Sequence, residues 1–139
     1  MVSGTRSEAP SDVPDARWRH DGFTAAPVRV PGGFRKRRLL PAVELVCGSV
    51  RTVFLCRDLG PFFQGRTDVV ESGDGEGTIV LLCWTGRLVR SSAAQELLAD
   101  QDAGSIALLT TKPAFSPIAV LPPDAAADFG AWYQALPAS

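Results

Sequence analysis

Residues 79–84 (IVLLCW) are six apolar residues in a row, and they constrain the fold more than any other stretch of this chain. At that length, with turn residues on both sides, the run reads as a core strand apolar on both faces rather than as a helix. The stretch before it belongs to the same sheet. Residues 51–57 are rich in Val, Phe, Leu and Thr, a strand composition, and Asp58-Leu59-Gly60-Pro61 is expected to break that strand in a tight turn. Residues 72–77 (SGDGEG) contain no apolar side chain and read as a hairpin connection into the core strand.

The rest of the chain can be placed as pairing with this sheet or covering it. Residues 1–15 carry Ser, Pro, Asp and Glu with few apolar anchors, and a disordered tail is expected there. Residues 16–33 contain Trp18, Phe23 and two proline-bounded apolar pairs, and are expected as an extended arm ending in a Pro31-Gly32-Gly33 joint. Residues 41–47 alternate, with Val43, Leu45 and Cys47 on one face, and Gly48-Ser49 suits a two-residue hairpin turn. After Trp84, Thr85-Gly86 can turn into a short strand at 87–91. Residues 92–102 have helix-forming composition with Ser92 as a possible cap and Gln95 three residues on, and read equally as a long, partly helical loop. Residues 105–110 and 117–121 read as two further apolar strands. Pro122-Pro123-Asp124 then halts the strand and offers Asp124 as an N-cap. Phe129, Trp132, Tyr133 and Leu136 follow at i, i+3, i+4 and i+7, one stripe of a helix that Pro137 ends. The expected fold is mainly β: a small antiparallel six- or seven-stranded β-barrel, spanning 34–139, whose C-terminal helix covers a sheet or plugs the open end.

A chain of 139 residues is enough for one domain with its own core. A net charge of −1 gives no global field for a nucleic acid polymer or an anionic lipid surface. Lys36 and Lys112 are the only lysines among 14 cations, so the basic side is almost all arginine. Codon bias accounts for that, as does a need for planar forks that grip phosphate or guanine. With no apolar run of about 18 residues a membrane span is not expected, and the N-terminus lacks the apolar core of a signal peptide. Cys47, Cys56 and Cys83 each sit in an apolar strand, an odd count that fits reduced thiols in a cytoplasm. A three-cysteine metal site would need a fourth ligand, and the sole histidine, His20, lies in the arm. Neither a metal nor a cofactor is expected.

Arg35-Lys36-Arg37-Arg38 is the one basic cluster, four consecutive cations. Read simply, it is a solvated stretch. Followed about twenty residues later by Asp58-Leu59-Gly60-Pro61-Phe62-Phe63, it resembles the paired motifs of the PilZ family, small β-barrel receptors for cyclic di-GMP. There an RxxxR motif precedes the first strand and a D/N-x-S-x-x-G motif ends the second. Residues 65–82 and Gly86-Arg87-Leu88-Val89-Arg90 are similar to the family's later strands, and the likeness runs from about 34 to 136. The resemblance implies a binding or regulatory module whose ligand contacts are Arg35, Lys36, Arg37, Arg38, Asp58 and Gly60, with a cyclic dinucleotide as ligand. A guanidinium can grip guanine O6 and N7 with two parallel hydrogen bonds, and a carboxylate can accept from a guanine N–H. Leu39 stands where the second motif arginine would be, Gly60 where the serine would be and Phe63 where the glycine would be. A PilZ-like barrel that keeps only protein contacts is therefore carried as the alternative.

Two other classes are represented. Cys83-Trp84-Thr85-Gly86-Arg87, ahead of a helical pattern, superficially resembles a rhodanese-type C-x-x-G loop, which would make Cys83 a thiolate nucleophile; the plain reading is a buried core cysteine. A PH-like barrel also ends in a Trp-bearing helix and would bind a protein or a lipid headgroup. The chain has no usable Ser/His/Asp set and no P-loop, so an enzyme is not expected. Gly73, Gly75 and Gly77 alternate within an acidic loop, the wrong charge to cradle phosphate. Phe62-Phe63, beside Pro61, reads either as an exposed anchor for a protein partner or as core.

Overall fold

Strand alternation and two tight turns set up the first half of the chain. β1 (Trp18–His20), β2 (Phe23–Gly32), β3 (Arg38–Cys47) and β4 (Val50–Leu55) form an antiparallel meander in the order β1-β2-β3-β4. The computed structural model describes residues 16–32, 38–72, 80–85, 96, 98–111 and 116–137. Asp21 and Gly22 both have positive φ, +48° and +85°, and join His20 to Phe23 in a two-residue hairpin. Asp-Gly between apolar strands is a strong hairpin signal. Gly48-Ser49 makes the expected second hairpin between Cys47 and Val50, with Gly48 at φ +61°. Residues 16–33 were expected as an extended arm lying across the domain. Instead their described part supplies β1 and β2, with Trp18, Phe23 and Ala25 buried in the core.

Two prolines decide where this sheet stops. A proline fits a ladder only where its missing N–H points away from the paired strand. Pro27 pairs with Val43 of β3, so its amide side faces the edge where β1 lies, and β1 pairs no further than Ala25. Pro41 pairs with Arg29 of β2, so its amide side faces β4, and β4 pairs no further than Ala42–Leu55. From Arg29 and Pro41 outward, β2 and β3 continue as a ribbon of two strands.

Where β4 ends, the chain folds into α1 (Cys56–Phe63). The expected turn at 58–61 is thus corrected to a helix, with Pro61 inside it. Local breakers lose here because Leu59 and Phe62 fall on one face and are buried, with Cys56 and Phe63 packed beside them, and tertiary packing outweighs propensity.

β5 (Val69–Glu71), β6 (Val80–Trp84), β7 (Ile106–Thr110) and β8 (Ser116–Leu121) form a second antiparallel meander. The expected two-faced strand is β6. Leu82 joins the main core, while Cys83 faces the other way into a small cluster with Leu98, Ala107 and Leu109. α2 (Pro123–Gln134) closes the fold. Its N-cap is Pro122 and Asp124 lies in the first turn, so the expected Asp124 cap is corrected. Its inner stripe is Ala125, Ala126 and Phe129, continued by half-buried Trp132, Tyr133 and Leu136. The architecture is mainly β, two four-stranded antiparallel sheets and a C-terminal helix around one shared core. Residues 1–15, the loop at 73–77, the strand at 87–91 and, within 92–102, residues 92–95 and 97 lie outside the described residues.

Candidate functional site

The ribbon is the first notable surface. Phe23, Ala25, Pro27, Arg29 and Pro31 share the core-side face of β2, opposite Cys47, Leu45, Val43, Pro41 and Leu39. The core runs out before the strands do. Arg29 and Pro31 are exposed, and Leu39 is 58% exposed, the exposed large apolar side chain among the described residues. Arg38 is exposed on the opposite face, paired with Gly32. A side chain at Gly32 would meet the end of the Leu40 side chain, which would have to move aside.

A groove of about 720 Å³ opens at the base of the ribbon. Pro27 and Val28 of β2 and Pro41 and Ala42 of β3 form one wall, and Tyr133 and Leu136 at the end of α2 form the other. Cys56 and Ala16 also line it, and Arg29 is its one charged lining residue among the described residues. Hydrogen bonds hold the second wall in place. Trp132 Nε1 donates to Ala16 O at 2.5 Å, and Tyr133 Oη donates to Cys56 O at 3.1 Å. Burial pushes the Tyr133 hydroxyl up to about 12, with Cys56 adding to the shift, so it stays a neutral donor. Burial also raises the Cys56 thiol, partly offset by its hydrogen bond with Tyr133.

Asp58 and Gly60 lie in α1, and Asp58 faces a different hollow of about 560 Å³. That hollow is lined by Leu55, Arg57, Pro61, Thr67, Glu71 and Ser72 as well, so Asp58 shares it with a second carboxylate. Arg38 is not among its lining residues. Leu55 stands opposite Ala42, and Arg38 lies four residues further along β3, about 13 Å at strand rise. The hairpin therefore puts Arg38 and Asp58 at one end of the sheet without bringing them into one cavity. Arg35, Lys36 and Arg37 lie outside the described residues.

Phe62 is 1% exposed, and Phe63 is half-buried, stacked on Tyr133 at 4.9 Å and edge-on to Phe129 at 5.3 Å. The exposed-anchor reading of this pair is corrected: the helical spacing of α1 turns both rings inward. Cys83 is fully buried in an antiparallel sheet, and burial, with Asp68 adding to it, pushes its thiol up to about 12. Among the described residues no group of three His, Cys, Asp or Glu could hold a metal ion. No described helix is long and apolar enough to cross a membrane. The groove was not anticipated from sequence. Its signal was Pro27 and Pro41 on one face of two adjoining strands.

Compared with protein-family models, curated proteins and solved structures, the chain matches none.

Proposed function

We propose that this chain is a non-catalytic binding module, a nucleotide-independent PilZ-like or PH-like domain that takes a segment of another protein in the groove beside α2. The observation that carries this reading is the groove itself: mostly apolar walls, one guanidinium, and a helix end pinned by Trp132 and Tyr133. Such a recess suits an apolar anchor from a partner, with Arg29 meeting a carboxylate or carbonyl. The prolines support insertion into the groove over strand addition, because Pro27, Pro31 and Pro41 each remove an outward N–H that strand addition would use. We read the two sheets as halves of a flattened barrel. In support, Ser72 beside β5 donates to Val53 O of β4 at 3.2 Å and accepts from Thr52 Oγ1 at 2.7 Å across the seam. The buried, high-pKa Cys83 supports binding over thiol chemistry.

The test is a peptide-display selection against the folded protein, with the selected peptides titrated against Val28→Asp and Leu136→Asp. Affinity should fall at least about tenfold in each, the loss of roughly one apolar anchor. Equal binding to both variants, with unchanged thermal melts, would reject the groove.

A second reading keeps cyclic di-GMP as ligand, held by the arginines, and is favoured by Arg29 and Arg38, the last cation of the basic run, standing exposed on the ribbon. Calorimetric titration with cyclic di-GMP, repeated with Arg38→Ala, tests it. Heat lost in the variant would support it, and no heat from the native chain in low salt would end it.

A further inference from the structure

We infer that the free part of the β2–β3 ribbon is a docking surface for an anionic membrane, with Leu39 entering the interface and Arg29 and Arg38 meeting lipid phosphates. Three observations lead there. The first is segregated charge. Between Asp21 and Glu44 the chain has five cations and no acid: Arg29, Arg35, Lys36, Arg37 and Arg38. With a net charge of −1, the remaining residues carry −6. A near-neutral chain therefore has one strongly positive segment, and its dipole turns that segment toward an anionic surface. Arg35, Lys36 and Arg37 enter this count by sequence alone.

The second is the ribbon's freedom. Pro27 and Pro41 end the flanking ladders, so the stretch from Arg29 to Gly32, with its partners Arg38 to Pro41, pairs with no other strand among the described residues. Prolines at 27, 31 and 41 also weaken the addition of further strands at its edges. What the ribbon offers is its faces.

The third decides among polyanions. Leu39 is 58% exposed and adjoins Arg38 in the chain, with Pro31 across from it. Duplex DNA or an acidic peptide rewards the arginines but leaves the leucine in water. A membrane interface rewards both, since an apolar side chain enters the acyl boundary while guanidinium groups on long stems stay at headgroup level. The two arginines leave opposite faces of the ribbon, which suits an end-on approach.

Vesicle co-sedimentation tests this directly, and Arg38 and Leu39, which do not line the groove, separate it from peptide binding there. The full chain should sediment with vesicles of equimolar phosphatidylglycerol and phosphatidylcholine, not with phosphatidylcholine alone, and salt should release it. Arg29→Gln and Arg38→Gln should each lower partitioning about fivefold. Leu39→Ser should lower it as well, and Leu39→Trp should show a blue-shifted emission component on vesicles that the native chain lacks. Leu136→Asp in the groove should leave vesicle binding unchanged. Absence of sedimentation at low salt would overturn the inference. So would vesicle binding that Leu39→Ser leaves intact, or binding to duplex DNA in preference to vesicles. All these side chains except Leu136 are exposed, and matching thermal melts would confirm that the variants fold.

Discussion

Trp18 Nε1 donates to the Asp128 carboxylate at 2.7 Å, joining β1 to α2 across 110 residues of sequence. The Trp18 ring packs against Phe129 at 4.9 Å and Phe23 at 5.9 Å, so one side chain ties the N-terminal hairpin to the closing helix. Trp18→Ala should cost about 3–5 kcal/mol, as for a large core aromatic. Asp128→Ala removes only an exposed acceptor and should cost about 1 kcal/mol. Trp132 is half-buried, so Trp132→Ala should fall between the two. Denaturant melts give all three values, and equal losses for Trp18→Ala and Asp128→Ala would mean that the ring does not anchor the core.

Cys83 should resist iodoacetamide at neutral pH, because its thiol is buried and its pKa raised. Cys47 and Cys56 are half-buried and should be alkylated first, as peptide mapping would report. The same burial sets an alkaline limit. The Cys83 thiol titrates near 9.0 when unfolded and near 12 when folded, and Tyr133 near 10.0 and 12. Both groups favour the folded state below their unfolded values. Above about pH 9 the unfolded chain loses protons that the folded chain keeps, so stability falls as pH rises through 9–12. A melting temperature that is flat from pH 8 to pH 11 would contradict this (about the window set by those shifts).

Pro61 cannot donate an amide hydrogen bond to Arg57 O inside α1. Pro61→Ala restores that donor while loosening the unfolded chain, and should stabilise by about 1 kcal/mol. A loss of similar size would show that the ring's packing outweighs the missing bond.

The outer ribbon has two strands where the body has four. Amides of Val30, Gly32 and Leu40 should exchange within the fastest class, and those of Leu108 and Leu109 in the slowest. Gly32→Ala forces Leu40 aside and should speed exchange at Val30 and Leu40 without unfolding β7. Equal protection along all of β3 would mean that the ribbon is as stable as the sheet.

Elements written in local periodicity were legible in the chain. β3 shows Val43 and Leu45 alternating into the core, Gly48 supplies the positive φ of its hairpin, and Phe129 with Trp132 and Tyr133 marks the helix stripe. Each depends on residues within one or two turns or pairs of each other. The segment at 56–63 was not legible, because Gly60 and Pro61 are local breakers. What makes it helical is the end of the β4 ladder, imposed by Pro41 on the neighbouring strand, and the shared core that receives Leu59 and Phe62. The same holds for the surfaces. Arg38 and Asp58 have the sequence spacing of one site, yet Asp58 turns into a hollow with Glu71 while the ribbon carries Arg38 away from it. The groove is assembled from residue 16, two strands, the start of α1 and the end of α2. Sequence order determines which residues can alternate, turn or cap. Which distant residues come to share a cavity depends on register and on where ladders stop, and those are properties of the packed sheets.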